Sequence, residues 1–286
     1  KNKDLALLMR LDLYLHEAGY AESRAFAKFL VLEGCVFVNG KPASKPSLEV
    51  DGGCQIEIKN PMPYVSVGGM KLDAALENFG VSPRGTIAAD IGASTGGFTD
   101  CLLSHGARRV YAIDSGTSQL HEKLRADPRV VSMENVNARD LTENTLPEKC
   151  GFLVCDVSFI SLSMIFPAAA RILLPESDVI ALIKPQFELD RSRVGRGVVR
   201  DPKDRASAVY SVISSAAEAG FEFQNIMLSP VTGGGINDKR AAGRGNREYP
   251  THFIYKRRKV ETGFSLDDAR RFISHENDSD IARRNK

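Results

Sequence analysis

The chain has 286 residues, 43% of them hydrophobic and 26% charged, with a formal net charge of +2 at pH 7. That composition is ordinary for a globular protein, long enough for one domain of about 200 residues and a smaller one of about 60, and its charge is too near neutral to argue for nucleic acid by itself. It contains no run of about 18 apolar residues that could form a membrane-spanning helix, and its five cysteines (Cys35, Cys54, Cys101, Cys150, Cys155), an odd number without a CxxC pair, read as reduced, mostly packed thiols and not as a disulfide framework or a zinc site; the five singly scattered histidines lend no support to a metal either.

The first fifteen residues hold Asp4 and Asp12 within an apolar stretch and lack a small-residue cleavage site, which argues against a signal peptide and for a cytoplasmic protein. Residues 10–18 and 23–32 show helical spacing of apolar side chains, with Ser23 as N-cap of the second helix. Strand-like residues 36–38 lead into Asn39-Gly40, a strong hairpin signal, and further strand-like residues end at 55–58. Residues 1–60 therefore read as a small α+β unit of two helices and a curled sheet. Asn60-Pro61-Met62-Pro63 disfavours helix and opens a linker over 61–67.

From 68 to 259 the pattern becomes α/β. Candidate strands fall at 86–91, 109–113, 130–133, 152–155, 179–183, 223–228 and 252–255, with helices between most of them, for example at 97–105, 161–172 and 206–219. Such alternation predicts a mainly parallel, Rossmann-like sheet with helices on both faces. Residues 260–286 form a polar tail, with a helix beginning at Ser265 and Asp268 in its first turn.

The first strand of this larger domain runs into DIGASTGGFTD. Here Asp90 precedes a turn containing Gly92, Ser94, Gly96 and Gly97, and Phe98 follows at the start of a helix. Glycines let a ligand approach the backbone, and a helix N-terminus offers free N–H groups to a carboxylate. The spacing is not GxGxxG, so a zwitterionic amino-acid tail suits it better than a pyrophosphate. Asp114, about 20 residues past the turn, ends the next strand where an acid can hold both ribose hydroxyls. Asp140 follows the third strand and is placed to receive an adenine amino group.

Four charged residues stand near strand ends: Lys71, Asp156, Lys184 and Glu248. Each has an ordinary alternative, as a solvated first-turn lysine, a strand terminator or a partner of nearby arginines. Asp156, ending the apolar run 152–155 at the ligand edge, is the hardest to dismiss. Together DIGASTGGFTD, CDVSFIS and IKPQFE resemble the FtsJ-type ribose 2′-O-methyltransferases over residues 68–256. The whole chain resembles the TlyA (hemolysin A) family, which joins such a domain to an N-terminal S4 domain. The resemblance implies S-adenosylmethionine as cofactor, methylation of cytidine 2′-hydroxyls in the rRNA of one or both ribosomal subunits, and Lys71, Asp156, Lys184 and Glu248 as a catalytic tetrad. Asp156 is shared with the cofactor pocket. A lysine acts as base only when burial or a second cation lowers its pKa; Lys184 is the candidate base and Lys71 the second cation. Residues 232–247 are longer and more basic than the short glycine-lysine loop expected before the family glutamate, and read as a substrate loop.

The segment RLDLYLHEAGYAESRAFAKFLVLEGCVFVNGKPASKP resembles the S4 RNA-binding domain. Residues 1–59 carry eight basic and eight acidic side chains, and Arg10, Arg24, Lys28, Lys41 and Lys45 are the candidates for a shared phosphate-binding face. Residues 184–259 carry fifteen basic against eight acidic side chains, with Arg193 and Arg196 in a glycine-spaced loop suited to an RNA backbone. The expected partners are rRNA and ribosomal subunits, without membrane or obligate protein partner. Three other functions fit less well. A membrane-active hemolysin needs an insertion element not found here. A non-catalytic ribosome-assembly factor would not need the intact glycine turn and both lysines, and a pseudouridine synthase has no use for that turn.

Overall fold

The computed structural model describes residues 8–21, 24–32, 34–59, 63–195, 197–230 and 245–284. These fall into two compact units, one ending at Pro63 and the other beginning at Tyr64. Ser23, Arg196 and most of the basic segment 232–247 lie outside the described residues.

The smaller unit contains β1 (Met9–Arg10), α1 (Leu11–Glu17), α2 (Arg24–Leu32), β2 (Val36–Val38), β3 (Lys41–Pro42), β4 (Glu49–Val50) and β5 (Ile56–Ile58). Asn39 and Gly40 both have positive φ, 52° and 75°, so the β2–β3 connection is the tight two-residue hairpin that Asn-Gly favours. Leu11, Leu15, Ala27, Leu30 and Val36 are buried in this unit.

The larger unit opens with α3 (Val67–Phe79), followed by β6 (Ile87–Ile91), α4 (Gly97–Ser104), β7 (Arg109–Ile113), α5 (Glu122–Arg125), β8 (Val130–Met133) and β9 (Cys150–Cys155). It continues with α6 (Phe166–Ala169), β10 (Leu173–Ile183), α7 (Pro185–Glu188), α8 (Pro202–Glu218), β11 (Phe221–Ile226), β12 (Tyr249–Tyr255) and α9 (Leu266–Arg284). The helix expected over 161–172 is divided into 3-10 turns at Leu162–Met164 and Ala170–Ile172 flanking the single turn α6, with Pro167 near its start. Ser265 and Asp268 cap α9 reciprocally, Ser265 N–H donating to Asp268 and Asp268 N–H to the Ser265 hydroxyl.

Among the described residues these strands form one seven-stranded sheet in the order β11-β12-β10-β9-β6-β7-β8. All neighbours from β10 to β8 are parallel, while β12 lies antiparallel between β10 and β11. The inner strands β6, β7 and β9 and the second half of β10 are buried almost throughout because both faces are covered, whereas the edge strand β8 exposes Val131 and Ser132. Phe152, Val154, Ile180 and Leu182 face a core with Leu72, Leu76 and Leu102, whereas Leu153, Val179, Ala181 and Ile183 face one with Phe166, Val209, Ile213 and Phe221. The chain winds from β6 outward to β8, then crosses back to β9 on the other side of β6. A crevice therefore opens between the carboxyl ends of β6 and β9.

Candidate active site

A crevice of about 780 Å³ lies at this switch point, lined among others by Gly92, Ser94, Asp114, Asn137, Asp156 and Phe159. Gly92 lines it, and the glycines of the turn are required sterically. Gly92 has φ 86°, and a Cβ there would sit 2.5 Å from the Asp156 carbonyl oxygen. At Gly96, φ 97°, a Cβ would strike Leu124, and at Gly97 one would strike the Ser66 hydroxyl at 2.1 Å. Ser94, also left-handed at φ 48°, donates its N–H to Asp114 Oδ2 at 2.8 Å, and Gly116 N–H donates to Asp114 Oδ1 at 2.7 Å. The acid at the end of β7 is thereby locked to the turn it follows.

Asp90, the penultimate residue of β6, is fully buried and accepts a 2.6 Å hydrogen bond from the Thr99 hydroxyl, while its Oδ1 has no partner among the described residues. Burial first, and then the charges of Asp156 and Asp114, push its carboxyl up to about 7 against the Thr99 bonds. Phe98 does not serve the crevice as expected. Its side chain is 5% exposed and packs in the core with Leu72 and Leu102, because the first turn of α4 directs it toward α3. Asp140 is also placed differently from its neighbours. Asn137 caps the 3-10 turn Ala138–Asp140, so Asn137, Ala138 and Arg139 line the crevice while Asp140 is exposed and absent from its wall.

The four charged residues converge, although 177 positions separate the outermost two. Lys71 Nζ lies 2.6 Å from Glu248 Oε2, and Lys184 Nζ lies 2.6 Å from Asp156 Oδ1. Both pairs are largely buried, with side-chain exposures of 12% and 4% for the first and 9% and 19% for the second. Topology explains the meeting. Asp156 and Lys184 follow parallel strands, whereas Glu248 precedes β12, whose antiparallel run begins at the same edge, with Tyr249 opposite Ile183. Lys71 reaches the edge from α3. Burial works to lower the Lys71 pKa, but Glu248 and Asp156 outweigh it and hold the ammonium above its ordinary value.

Two side chains to which the sequence assigned no role complete the mouth of the site. Ser158 accepts a 3.0 Å hydrogen bond from Lys184. Phe159 is 90% exposed, has a left-handed backbone at φ 65°, and its ring centroid lies 5.0 Å from that of Phe187. The signal for Phe159 was present in CDVSFIS, an aromatic between serines just past the ligand-edge acid.

The basic residues are less uniform than expected. Arg10, Arg24 and Lys28 gather around the buried Asp12 at 2.9, 3.2 and 3.9 Å. Burial tends to raise the Asp12 carboxyl, but the bonds from Arg10 and Arg24 hold it below its ordinary value. Lys41 and Lys45 are exposed and outside this cluster. Arg193 pairs with Asp204 at 2.5 Å across the start of α8. Asn246 clamps the neighbouring loop, accepting from Val199 N–H at 3.0 Å and donating to the Gly197 carbonyl at 2.7 Å.

Residues 64–239 match the FtsJ-like methyltransferase family, and residues 9–56 match the S4 domain; the first match stops short of Glu248. The chain is 43% identical over 248 residues to "Hemolysin A" of Brachyspira hyodysenteriae, covering 86% of this chain and 100% of that protein. It is 38% identical over 271 residues to the "16S/23S rRNA (cytidine-2′-O)-methyltransferase TlyA" of Mycobacterium tuberculosis, covering 93% and 97%. A solved structure from Streptococcus thermophilus, described as a hemolysin, superposes with a TM-score of 0.74 at 36% identity over 98% of this chain and 99% of that one. Among the described residues no helix is long and apolar enough to cross a membrane.

Proposed function

The chain belongs to the FtsJ-like methyltransferase family and carries an S4 domain ahead of its catalytic unit, and from that premise we propose that it methylates cytidine 2′-hydroxyls of ribosomal RNA with S-adenosylmethionine as donor. The observation that carries this reading is the pair of buried lysine–carboxylate contacts, Lys71–Glu248 and Lys184–Asp156, beside a crevice lined by Gly92, Ser94 and Asp114.

The crevice residues suit the donor. The unpaired Asp90 oxygen stands behind the turn where a cationic amino-acid tail would lie, and the N-terminus of α4 offers N–H groups to its carboxylate. Asp114 keeps lone pairs for ribose hydroxyls, and Asn137 and Arg139 line the wall nearest an adenine. Bound there, S-adenosylmethionine supplies an electrophilic methyl group on a sulfonium sulfur.

The protein's own task is to hold the 2′-hydroxyl in line and take its proton. Lys71, held charged by two acids, is the fixed cation of the site. Lys184 is the base, receiving the hydroxyl proton at Nζ, with Asp156 and Ser158 fixing its position. Phe159 offers an exposed ring on which the target base can stack. Arg10, Arg24 and Lys28, three cations around one acid, leave a net positive cluster for rRNA phosphates, to which the exposed Lys41 and Lys45 add. Such a substrate implies that the protein works in the cytoplasm with the ribosomes.

The test is transfer of labelled methyl from S-adenosylmethionine to isolated 30S and 50S subunits and to naked rRNA, with primer-extension mapping. A 2′-O-methyl stop at one or two cytidines is expected. Cofactor binding without transfer to any of these substrates would overturn the assignment.

A further inference from the structure

The basic surplus of residues 184–259 does not all lie at the catalytic edge. Because β12 runs antiparallel to β10, with Tyr255 opposite Ser177, the run Lys256-Arg257-Arg258-Lys259 emerges beside the start of β10, at the opposite edge of the sheet. Two members of the run are neutralised there: Lys256 pairs with Glu176 and Glu222, and Lys259 pairs with Glu218. Arg257 is exposed with a left-handed φ of 63°, and no side-chain partner is found for it among the described residues.

Arg257 stands on the rim of a second groove, of about 610 Å³, wholly within the larger unit. Two further cations line it, Lys149 and Arg171. The Lys149 ammonium donates to the Arg171 carbonyl and the Arg171 guanidinium to the Leu141 carbonyl at 3.3 Å, so the backbone braces both. Glu143 is the one acid among the lining residues, and the floor is apolar, formed by Leu173, Leu174 and Tyr255. Leu174 is 47% exposed there. Fixed cations around an apolar floor match single-stranded RNA, whose phosphates meet the rim while a base or ribose covers the floor.

We propose that this groove, remote from the methyl-transfer site, binds a second single-stranded segment of the rRNA substrate; this rests on the rRNA reading above. About seven strand residues separate the two edges, roughly 23 Å at 3.3 Å per residue. The groove therefore meets nucleotides other than the one methylated, and its cations contribute to substrate affinity without touching the chemistry.

The experiment measures binding of the full chain to ribosomal subunits by filter retention between about 50 and 200 mM salt, together with methyl-transfer kinetics. Removing one cation that neutralises a phosphate makes the slope of log affinity against log salt shallower by about 0.7 to 0.9. Arg257→Gln with Lys149→Gln is expected to reduce the slope by about 1.4 to 1.8 and raise KM for subunits about tenfold. The kcat and cofactor affinity should stay unchanged. Arg257→Gln alone, which leaves the Lys149 brace in place, gives half the slope change, and Arg270→Gln on α9 gives none. An unchanged slope and KM in both groove variants overturns the proposal. If the wild-type chain binds subunits but methylates no rRNA, the enzymatic assignment falls, and the groove is still decided by the slopes.

Discussion

Replacing Glu248 by Gln removes the counter-ion of a lysine that has almost no water to turn to. The Lys71–Glu248 separation is 2.6 Å, with side-chain exposures of 12% and 4%. Breaking a buried pair from one side costs about 3 to 5 kcal/mol, because the remaining charge keeps its desolvation penalty. Asp156 still attracts Lys71, so the lower end applies, about 3 kcal/mol. For a unit of this size that is a fall in Tm of roughly 6 to 12 °C, read by scanning calorimetry as a shift in the transition of the larger unit. Removing both charges, as Lys71→Met with Glu248→Leu, should restore most of that stability, since an apolar pair avoids the penalty. Methyl transfer should be abolished in both variants. The reasoning fails if Glu248→Gln melts within about 2 °C of wild type, or if the double variant is no more stable than the single one.

Lys184→Ala should reduce methyl transfer by roughly 10² to 10⁴, the usual contribution of a general base, while calorimetric cofactor affinity stays close to wild type; loss of that affinity would make Lys184 structural. Phe159→Ala should raise KM for rRNA roughly five- to hundredfold, the equivalent of about 1 to 3 kcal/mol of base stacking, with thermal stability unchanged because the ring is 90% exposed; an unaltered KM would remove Phe159 from the substrate site. Asp90 gives a pH signature. Its folded pKa is raised to about 7, above the ordinary value, so its protonated form stabilises the fold at low pH and that contribution is lost as pH rises from about 4 through 7. A cationic cofactor tail prefers the ionised carboxylate, so S-adenosylmethionine affinity should rise with pH up to about 7 and level above it. The same titration on Asp90→Asn should be flat, and a wild-type profile without this rise would detach Asp90 from the cofactor.

The legibility of the chain followed the strength of its local signals. Each expected strand of the larger unit is present: the inner strands are near-continuous apolar runs, the edge strands β8 and β11 are short and β-prone, and most intervening segments carry helical spacing. The Asn39-Gly40 hairpin was readable because few sequences satisfy two successive positive φ values. The glycine turn and Asp114 were readable for the same reason, each meeting a steric or polar demand of one strand end. Orientation was not readable. Phe98 and Phe159 are both aromatics just past strand ends, yet one is 5% and the other 90% exposed. The difference lies in what packs above them, α3 in one case and open crevice in the other. The place of Asp140 was not readable for a related reason. A capped 3-10 turn rotates successive residues through the crevice wall, and spacing alone does not say which of Asn137 to Asp140 faces in.

The antiparallel strand β12 has a consequence for substrate access. Since β11 runs toward the catalytic edge and β12 starts from it, the connection between Ile226 and Tyr249 is anchored there at both ends, through the pairing of Ile226 with Thr251 and of Tyr249 with Ile183. The basic residues Lys239, Arg240, Arg244 and Arg247 belong to this connection. In a wholly parallel sheet the next strand would start from the far edge, and a segment leading into it would have its far anchor there. Here Ser229 N–H bonds the Glu248 carbonyl at 2.9 Å, which fixes the backbone of the residue that pairs with Lys71. The bond that ends the connection and the Lys71–Glu248 pair thus act on the same residue, one through its backbone and one through its side chain.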